Sequence, residues 1–273
     1  MTTPSVNPNK ALWEKGDFTR IADTMRESGD EFAASLGIAD GMRILEVGGG
    51  DGTTAVPEAQ RGADVLVVDI SSALVAAGNA RADALGLTNL RFQEGDASDL
   101  RDLEDNSFDL VVSIFGAMFA PRPLDVAKEL VRVCKPGGRI VMGNWIPGDP
   151  TLVAQLLRIS SAYSPPPPEG FISPMTWGVE KDVIERFRAA GVPEDAISFE
   201  HYTWTFEHPG TPSDFLAEFR DYYGPTMNAY AAAAANGREE ELHAELDALF
   251  NEQNTSSDAT SIPATYLKVT VRV

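Results

Sequence analysis

The sequence predicts an α/β protein: a doubly wound, seven-stranded and mostly parallel sheet with helices on both faces and a helical lid insertion. Three observations predict it. Between residues 43 and 145, short β-branched runs alternate with longer segments of helical periodicity, the pattern of repeated βαβ units. Two further β-rich runs follow a proline-rich break, with helical segments between them. The length of 273 residues is about 1.8 times a typical domain of roughly 150, which permits one large domain with insertions.

The strands are expected at 43–47, 64–69, 89–93, 108–115 and 138–145. Five strands in about 100 residues imply one doubly wound sheet. Segments 71–85 and 124–134 carry apolar residues at helical spacing, and Pro136-Gly137-Gly138 ends the second. Upstream, 17–36 reads as a helix opened by an Asp17 cap, with Phe18, Ile21, Met25 and Phe32 as a broken apolar stripe over the sheet edge.

Downstream, Pro165 to Pro168 fix φ and remove four donors, so this stretch is extended, a connector or part of a lid. Residues 180–190 read as a helix stopped by Gly191, and 196–206, with Phe199, Tyr202, Trp204 and Phe206, as a sixth strand. Thr211, Pro212 and Asp214 open another helix with a cap, a first-turn proline and an acid three residues on. Residues 238–250 form an acidic helix and 265–273 a last strand. The organisation expected is a single domain over 1–273. It comprises a helical cap (1–36), a ligand-binding core (37–146), a connector with helix and sixth strand (147–210), a helical insertion (211–264) and the final strand (265–273).

Charge narrows the function. Twenty-two Lys+Arg against 41 Asp+Glu leave a net charge of −19, which repels nucleic acid phosphates and anionic lipid surfaces. Neither nucleic acid nor a membrane is expected as a partner, and the oligomeric state is open. A single cysteine, Cys134, cannot form an internal disulfide, and with only His201, His208 and His243 beside it no zinc site is expected. The polar segment 1–10 lacks the apolar core of an export signal, and no apolar run reaches the roughly 18 residues of a membrane span. A reducing cytoplasm is the expected location.

The sharpest local signal is Ile44-Leu45-Glu46-Val47-Gly48-Gly49-Gly50-Asp51-Gly52-Thr53, an apolar strand running into a glycine-rich turn. Such a turn at the carboxyl end of a first strand lets backbone approach a ligand and presents free N–H groups. Asp69 ends the second strand, 17 residues after Gly52, where a carboxylate accepts hydrogen bonds from ribose hydroxyls. The same turn matches the dinucleotide fingerprint through Gly50, Gly52 and Ala55, so by itself it leaves an NAD-dependent oxidoreductase open.

The fuller set is Glu46 through Gly52, Val67-Val68-Asp69-Ile70-Ser71, Gly95-Asp96-Ala97, Phe108 through Ser113, and Leu130-x-Arg132-Val133-x-Lys135-Pro136-Gly137-Gly138. Over roughly residues 13–145 it resembles class I S-adenosylmethionine-dependent methyltransferases, in the group similar to ubiquinone/menaquinone C-methyltransferases. The resemblance implies S-adenosyl-L-methionine as cofactor, with Gly48, Gly49, Gly50 and Gly52 cradling its methionine moiety and Asp69 holding its ribose. Asp96 would accept the adenine amino hydrogens, Ala97 would supply a backbone donor, Ile70 would cover the adenine face and Phe115 would sit beside the methionine end. Trp13 and Phe18 resemble aromatic residues that close over the cofactor in this group. It also implies a seventh strand set antiparallel beside the sixth, whereas a dinucleotide domain repeats a second βαβαβ half. One departure is Gly49, where the family loop often carries Cys or another residue.

The reaction so implied is direct displacement at the methyl carbon by a small-molecule acceptor, with orientation as the main contribution of the protein. A methyltransferase-like binding protein without catalysis is the remaining alternative. For the acceptor side the candidates are Trp13, Met118, Phe119, His201, Tyr222 and Tyr223. His201 offers an imidazole that titrates near neutral pH, although a histidine satisfied within a strand is the plainer reading. The lid segments supply aromatics rather than basic clusters, so an uncharged or apolar acceptor is expected.

Overall fold

The computed structural model describes residues 7 and 9–273; the expectation for segment 1–10 therefore falls largely outside the described residues. Three short helices come first: α1 (Lys10–Trp13), α2 (Phe18–Asp23) and α3 (Arg26–Ser35). The alternating core follows as β1 (Arg43–Val47), α4 (Ala55–Gln60), β2 (Asp64–Asp69), α5 (Ser72–Ala84), β3 (Leu90–Glu94), β4 (Phe108–Ile114), α6 (Pro123–Val133) and β5 (Cys134–Trp145). The remainder is α7 (Leu152–Tyr163), α8 (Glu180–Ala189), β6 (Ile197–His208), α9 (Pro212–Tyr222), α10 (Gly224–Ala235), α11 (Glu239–Gln253) and β7 (Thr260–Arg272).

All seven strands join one sheet in the order β3-β2-β1-β4-β5-β7-β6. The first five are parallel, with Leu45 level with Leu66 on β2 and with Val111 on β4. β7 runs antiparallel to both neighbours, pairing Ile140 with Val271 and Phe199 with Val269. Central strands buried on both faces read as unbroken apolar runs, and Ile44, Leu45, Val47, Leu110, Val111 and Val112 are each 0% exposed. The carboxyl ends of β1, β2 and β4 therefore open at one sheet edge, beside the reversal of strand order at β1, where doubly wound sheets bind ligands.

Three differences from the sequence reading have physical causes. The expected helix 17–36 is broken, because the Thr24 carbonyl accepts the Glu207 amide at 2.8 Å instead of an amide of its own helix. The Thr24 hydroxyl turns back onto the Ile21 carbonyl at 2.7 Å, and Asp17 caps α2 as expected. β7 starts five residues before position 265 and contains Pro263. Its pairing with β5 ends at Tyr266 opposite Trp145, so a residue without an N–H sits where that side of the strand has no partner. Helix α7 was not foreseen, although Leu152, Leu156, Ile159 and Tyr163 are buried at helical spacing.

The 211–264 insertion folds as three helices. Thr211 and Asp214 form the reciprocal capping box, with Asp214 N–H on Thr211 Oγ1 at 3.2 Å and Thr211 N–H on Asp214 Oδ2 at 2.9 Å. Phe215 and Phe219 of α9 meet Phe206 of β6 and Phe250 of α11 at centroid separations of 5.4–6.4 Å. This aromatic seam fastens the insertion to the sheet. Phe215→Ala should therefore cost about 3–5 kcal/mol, read as a lower urea midpoint with an unchanged m-value; an unaltered midpoint would show that the insertion is held elsewhere.

Candidate functional site

The glycine turn after β1 has its shape fixed by sterics. Gly48, Gly50 and Gly52 have φ of 68°, 58° and 89°, a region closed to most side chains. A Cβ on Gly48 would lie 2.7 Å from Cα of Gly116, so the turns after β1 and β4 touch backbone to backbone. Gly49 has no room either, since its Cβ would fall 2.7 Å from Val67 Cγ1; the departure from the family pattern is a packing requirement. Above Gly50 nothing lies within 4 Å, which leaves its backbone open to a ligand.

Asp69, at the end of β2, is 6% exposed and binds this turn to the next. Its Oδ2 accepts the Gly50 amide at 2.8 Å and its Oδ1 the Ser71 amide at 2.9 Å. Burial pushes its pKa above the ordinary carboxylate value, against the pull of those amides. Asp96, beyond β3, accepts the Ser98 amide and hydroxyl at 2.8 and 2.6 Å on Oδ1, and the Asn7 side-chain amide at 3.1 Å on Oδ2. Asp51 is clamped by Arg26 through two bonds of 2.9 and 2.5 Å.

Glu46 is the unusual group. Thr54 donates to its Oε1, while Oε2 is buried with no partner among the described residues. Burial, with Asp69 and Asp51 nearby and against the Thr54 bond, pushes its pKa up to about 8. Behind it Glu58 is 0% exposed, with both carboxyl oxygens unpartnered among the described residues, and is held well above its usual range by burial and by Glu46.

Glu46, Asp51, Asp69, Asp96 and the glycine turn line one cleft, about 1180 Å³ with its solvent-filled mouth included; Glu58 lies outside its wall. Of the expected cofactor residues, Phe18, Glu46, Gly48, Gly49, Gly50, Asp69, Ile70, Asp96, Ala97 and Phe115 all face it. Gly52 does not; a Cβ there would strike Phe92 at 2.8 Å, so it shapes the turn from below. Of the acceptor candidates, Trp13, Phe119 and Tyr223 line the cleft and share an aromatic cluster with Phe18, at centroid separations of 5.0–6.0 Å.

Three acceptor candidates are elsewhere. Met118 is 1% exposed, buried beneath the turn after β4. His201 is exposed on the outer strand β6, level with Leu267, because the period-two alternation sends its neighbours Trp204 and Phe206 inward further along. Tyr222 points away from the cleft with the Arg20 guanidinium 5.5 Å over its ring, since one helical position separates it from inward-facing Tyr223. The proline stretch 165–168 contributes nothing to the cleft wall.

The sequence reading missed Asn7, Asn9, Asp51, Trp145, Trp204, Val153 and Leu156 as cleft residues. The periodicity of α7 held the signal for the last two, and Asp51 stands inside the glycine turn; nothing local marks the others. Phe115 carries a further feature, a φ of 64°, rare for a bulky side chain. Its ring stacks on Trp145 at 3.8 Å and 13°, with Trp204 and Tyr266 at its edges, which fixes the strained residue in place.

Comparison with known proteins agrees with this geometry. Residues 45–142 match the family model described as a methyltransferase domain. An uncharacterized protein of Mycobacterium tuberculosis (strain ATCC 25618 / H37Rv) is 34% identical over 227 residues, spanning 83% of this chain and 80% of that protein. A demethylmenaquinone methyltransferase of Renibacterium salmoninarum is 35% identical over 111 residues, 41% of this chain and 44% of that one. Among solved structures, a putative methyltransferase from Bacillus halodurans superposes with a TM-score of 0.59 at 14% identity, over 90% of this chain and 98% of its own. Phosphoethanolamine N-methyltransferase 2 of Haemonchus contortus, in complex with S-adenosyl-L-methionine, gives 0.56 at 19% identity, over 90% and 52%.

The buried Glu46 makes a directional prediction. Its folded pKa of about 8 exceeds the ordinary 4.5, so between these values the unfolded chain loses a proton that the folded one keeps. Stability contributed through Glu46 therefore falls as pH rises through that window. Glu46→Gln removes the effect, and its melting temperature should gain on the parent's from pH 5 to pH 8 and stay level above. A pH-independent difference in calorimetry would refute the assignment.

Proposed function

Because the chain belongs to the class I S-adenosylmethionine-dependent methyltransferases, enzymes whose cofactor is S-adenosyl-L-methionine, we propose that it methylates a small-molecule acceptor held at the aromatic end of its cleft. The observation behind the reading is one cleft with two unlike halves. Carboxylates and open backbone occupy the glycine-turn end, and rings occupy the other. Nothing supports hydride transfer to a dinucleotide, whose domain would carry a second parallel half where this sheet has an antiparallel β7.

The residues fit the cofactor. The open backbone at Gly50 and the close approach of the Gly48 and Gly116 turns suit an extended methionine chain. The unpartnered Oε2 of Glu46 suits a cationic group in a buried wall. On this reading Gly48 to Gly52 cradle the methionine moiety, Asp69 takes the ribose hydroxyls and Asp96 the adenine amino group. The Ala97 amide donates to the base, Ile70 covers its face, Phe115 flanks the methionine end, and Trp13 and Phe18 close over the whole.

S-adenosyl-L-methionine, when bound, would supply an activated methyl group for the acceptor. The chain's own contribution is orientation and dryness. Holding reactants in line is worth on the order of 7–11 kcal/mol, and the buried rings of Phe115, Trp145 and Tyr223 exclude water from the reacting atoms. The 111-residue match to demethylmenaquinone methyltransferases favours a cofactor half of the ubiquinone/menaquinone C-methyltransferase-like group. We place the enzyme in the cytoplasm, consistent with a single buried thiol, Cys134.

Titration calorimetry with S-adenosyl-L-methionine tests the site. Asp96→Ala and Asp69→Ala should each lower affinity at least tenfold while the circular dichroism spectrum stays native. Unchanged affinity in both would overturn the assigned roles. Incubation of the enzyme and labelled cofactor with a cell extract should place label in a small molecule; label found in macromolecules alone would overturn the acceptor class, and cofactor binding without any S-adenosylhomocysteine would indicate a binding protein.

A further inference from the structure

Two carboxyls beneath the glycine turn have hydrogen-bonding capacity that the fold leaves unused. Glu46 of β1 is 1% exposed and lines the cleft; Thr54 donates to its Oε1, and its Oε2 has no partner among the described residues. Glu58 of α4 is fully buried behind the cleft wall, and neither of its oxygens has a partner among those residues. One threonine links the two. Glu58 stands one helical turn beyond Thr54, its amide donating to the Thr54 carbonyl at 3.1 Å, and helical side chains lean back toward the amino end.

The charges on the elements packed around this pair are either negative or already engaged. β2 brings Asp69, held by the Gly50 and Ser71 amides, and Asp64, paired with Arg91 of β3. The glycine turn brings Asp51, paired with Arg26 of α3, and α3 also brings Asp30, paired with Arg61, and the exposed Glu27 and Glu31. Arg81 of α5 donates to the Asp51 and Gly52 carbonyls, Glu94 of β3 pairs with Lys10, and Asp109 of β4 pairs with Lys135. A carboxylate without a donor in a dry wall is neutralised by a proton. Burial, Asp69 and Asp51 accordingly raise Glu46, and burial and Glu46 raise Glu58 against the pull of Arg61.

We propose that Glu46 holds a proton in the empty site and gives it up to solvent through the open cleft as the α-ammonium of the cofactor docks, while Glu58 behind it stays protonated. The inference rests on the cofactor reading above and adds proton linkage to it. Its placement comes from Gly49: a Cβ there would fall 3.0 Å from the Glu46 Cδ, so the carboxyl lies directly under the backbone assigned to the methionine moiety. Docking then exchanges one positive charge for another at Oε2, a proton for an ammonium, and the wall never holds an uncompensated carboxylate. Two ionised carboxyls around one threonine would repel, so the protonated Glu58 limits the pair to a single negative charge. Because the empty site surrenders its proton unaided above about pH 8, cofactor affinity rises with pH below that value and levels off beyond it.

The test is titration calorimetry of the full chain with S-adenosyl-L-methionine and with S-adenosylhomocysteine at pH 6.5, in buffers of different ionisation enthalpy, which counts protons released per molecule bound. Work below pH 7 keeps the α-amino group of either compound charged, since such groups titrate at about 7.7–8.0. Both compounds carry the ammonium, so each should release close to one proton and bind roughly tenfold tighter at pH 7 than at pH 6. Glu46→Gln should abolish the release and flatten the pH dependence. Glu58→Gln should keep both, because an amide replaces an acid that never ionises. No proton released by the parent protein would overturn the proposal, as would linkage that survives Glu46→Gln or is lost in Glu58→Gln. Release with the sulfonium compound alone would overturn the choice of the ammonium. Should Glu46→Gln fail to fold, the parent's proton count and the Glu58→Gln result still decide. Failure of the cofactor reading itself is distinct, since neither compound would then bind at any pH.

Discussion

The cleft exists because two backbone turns touch. Parallel neighbours β1 and β4 each run into a turn that carries a glycine, and the contact between Gly48 and Gly116 leaves no space for a single β-carbon at either position. Hydrogen bonding completes the arrangement: Ser113 on β4 donates to the Val47 carbonyl at 2.6 Å and accepts the Ala117 amide at 2.9 Å. From this contact the chain departs in two directions, toward Asp69 and Asp96 on one side and toward the Phe115–Trp145 stack on the other. The two chemically unlike halves of the site share that one joint.

The electrostatic character follows from the same packing. Four carboxylates converge on one end of a cleft in a protein of net charge −19, and among the described residues only Asp51 of the four has a guanidinium partner, Arg26. Asp69 is held by amides, while the inner oxygen of Glu46 and both oxygens of Glu58 are left without any donor among the described residues. Such an arrangement costs folding stability and favours a positively charged occupant, a trade of local stability for function that binding sites commonly make.

Much of the fold was legible because its signals are local. The apolar runs of β1, β2 and β4, the Thr211 capping box and the glycine turn each declare themselves within ten residues. The cofactor end of the site was legible for the same reason, since its residues follow directly on strand ends. The acceptor end was not. Trp145, Trp204, Val153 and Leu156 come from three separate elements, β5, β6 and α7, and meet only because β7 inserts between β5 and β6 and carries α7 and β6 into position. His201 and Tyr222 show the complementary error, the right residue types one or a few positions from the inward-facing register, which composition alone does not reveal. The break between α2 and α3 belongs here too, because its cause, the Glu207 amide, lies some 180 residues away.

The bond from Asn7 to Asp96 has a thermodynamic consequence. A primary amide already bonds Oδ2 of the carboxylate proposed for the amino group of adenine, and the two donors are chemically alike. Docking of the base can then proceed by exchange of equivalents, the purine replacing Asn7 on a carboxylate that stays satisfied throughout. An enzyme that must discharge a spent nucleoside after every turnover is served by such a swap: recognition of the purine is kept, while the tenacity that would stall the cycle is not acquired.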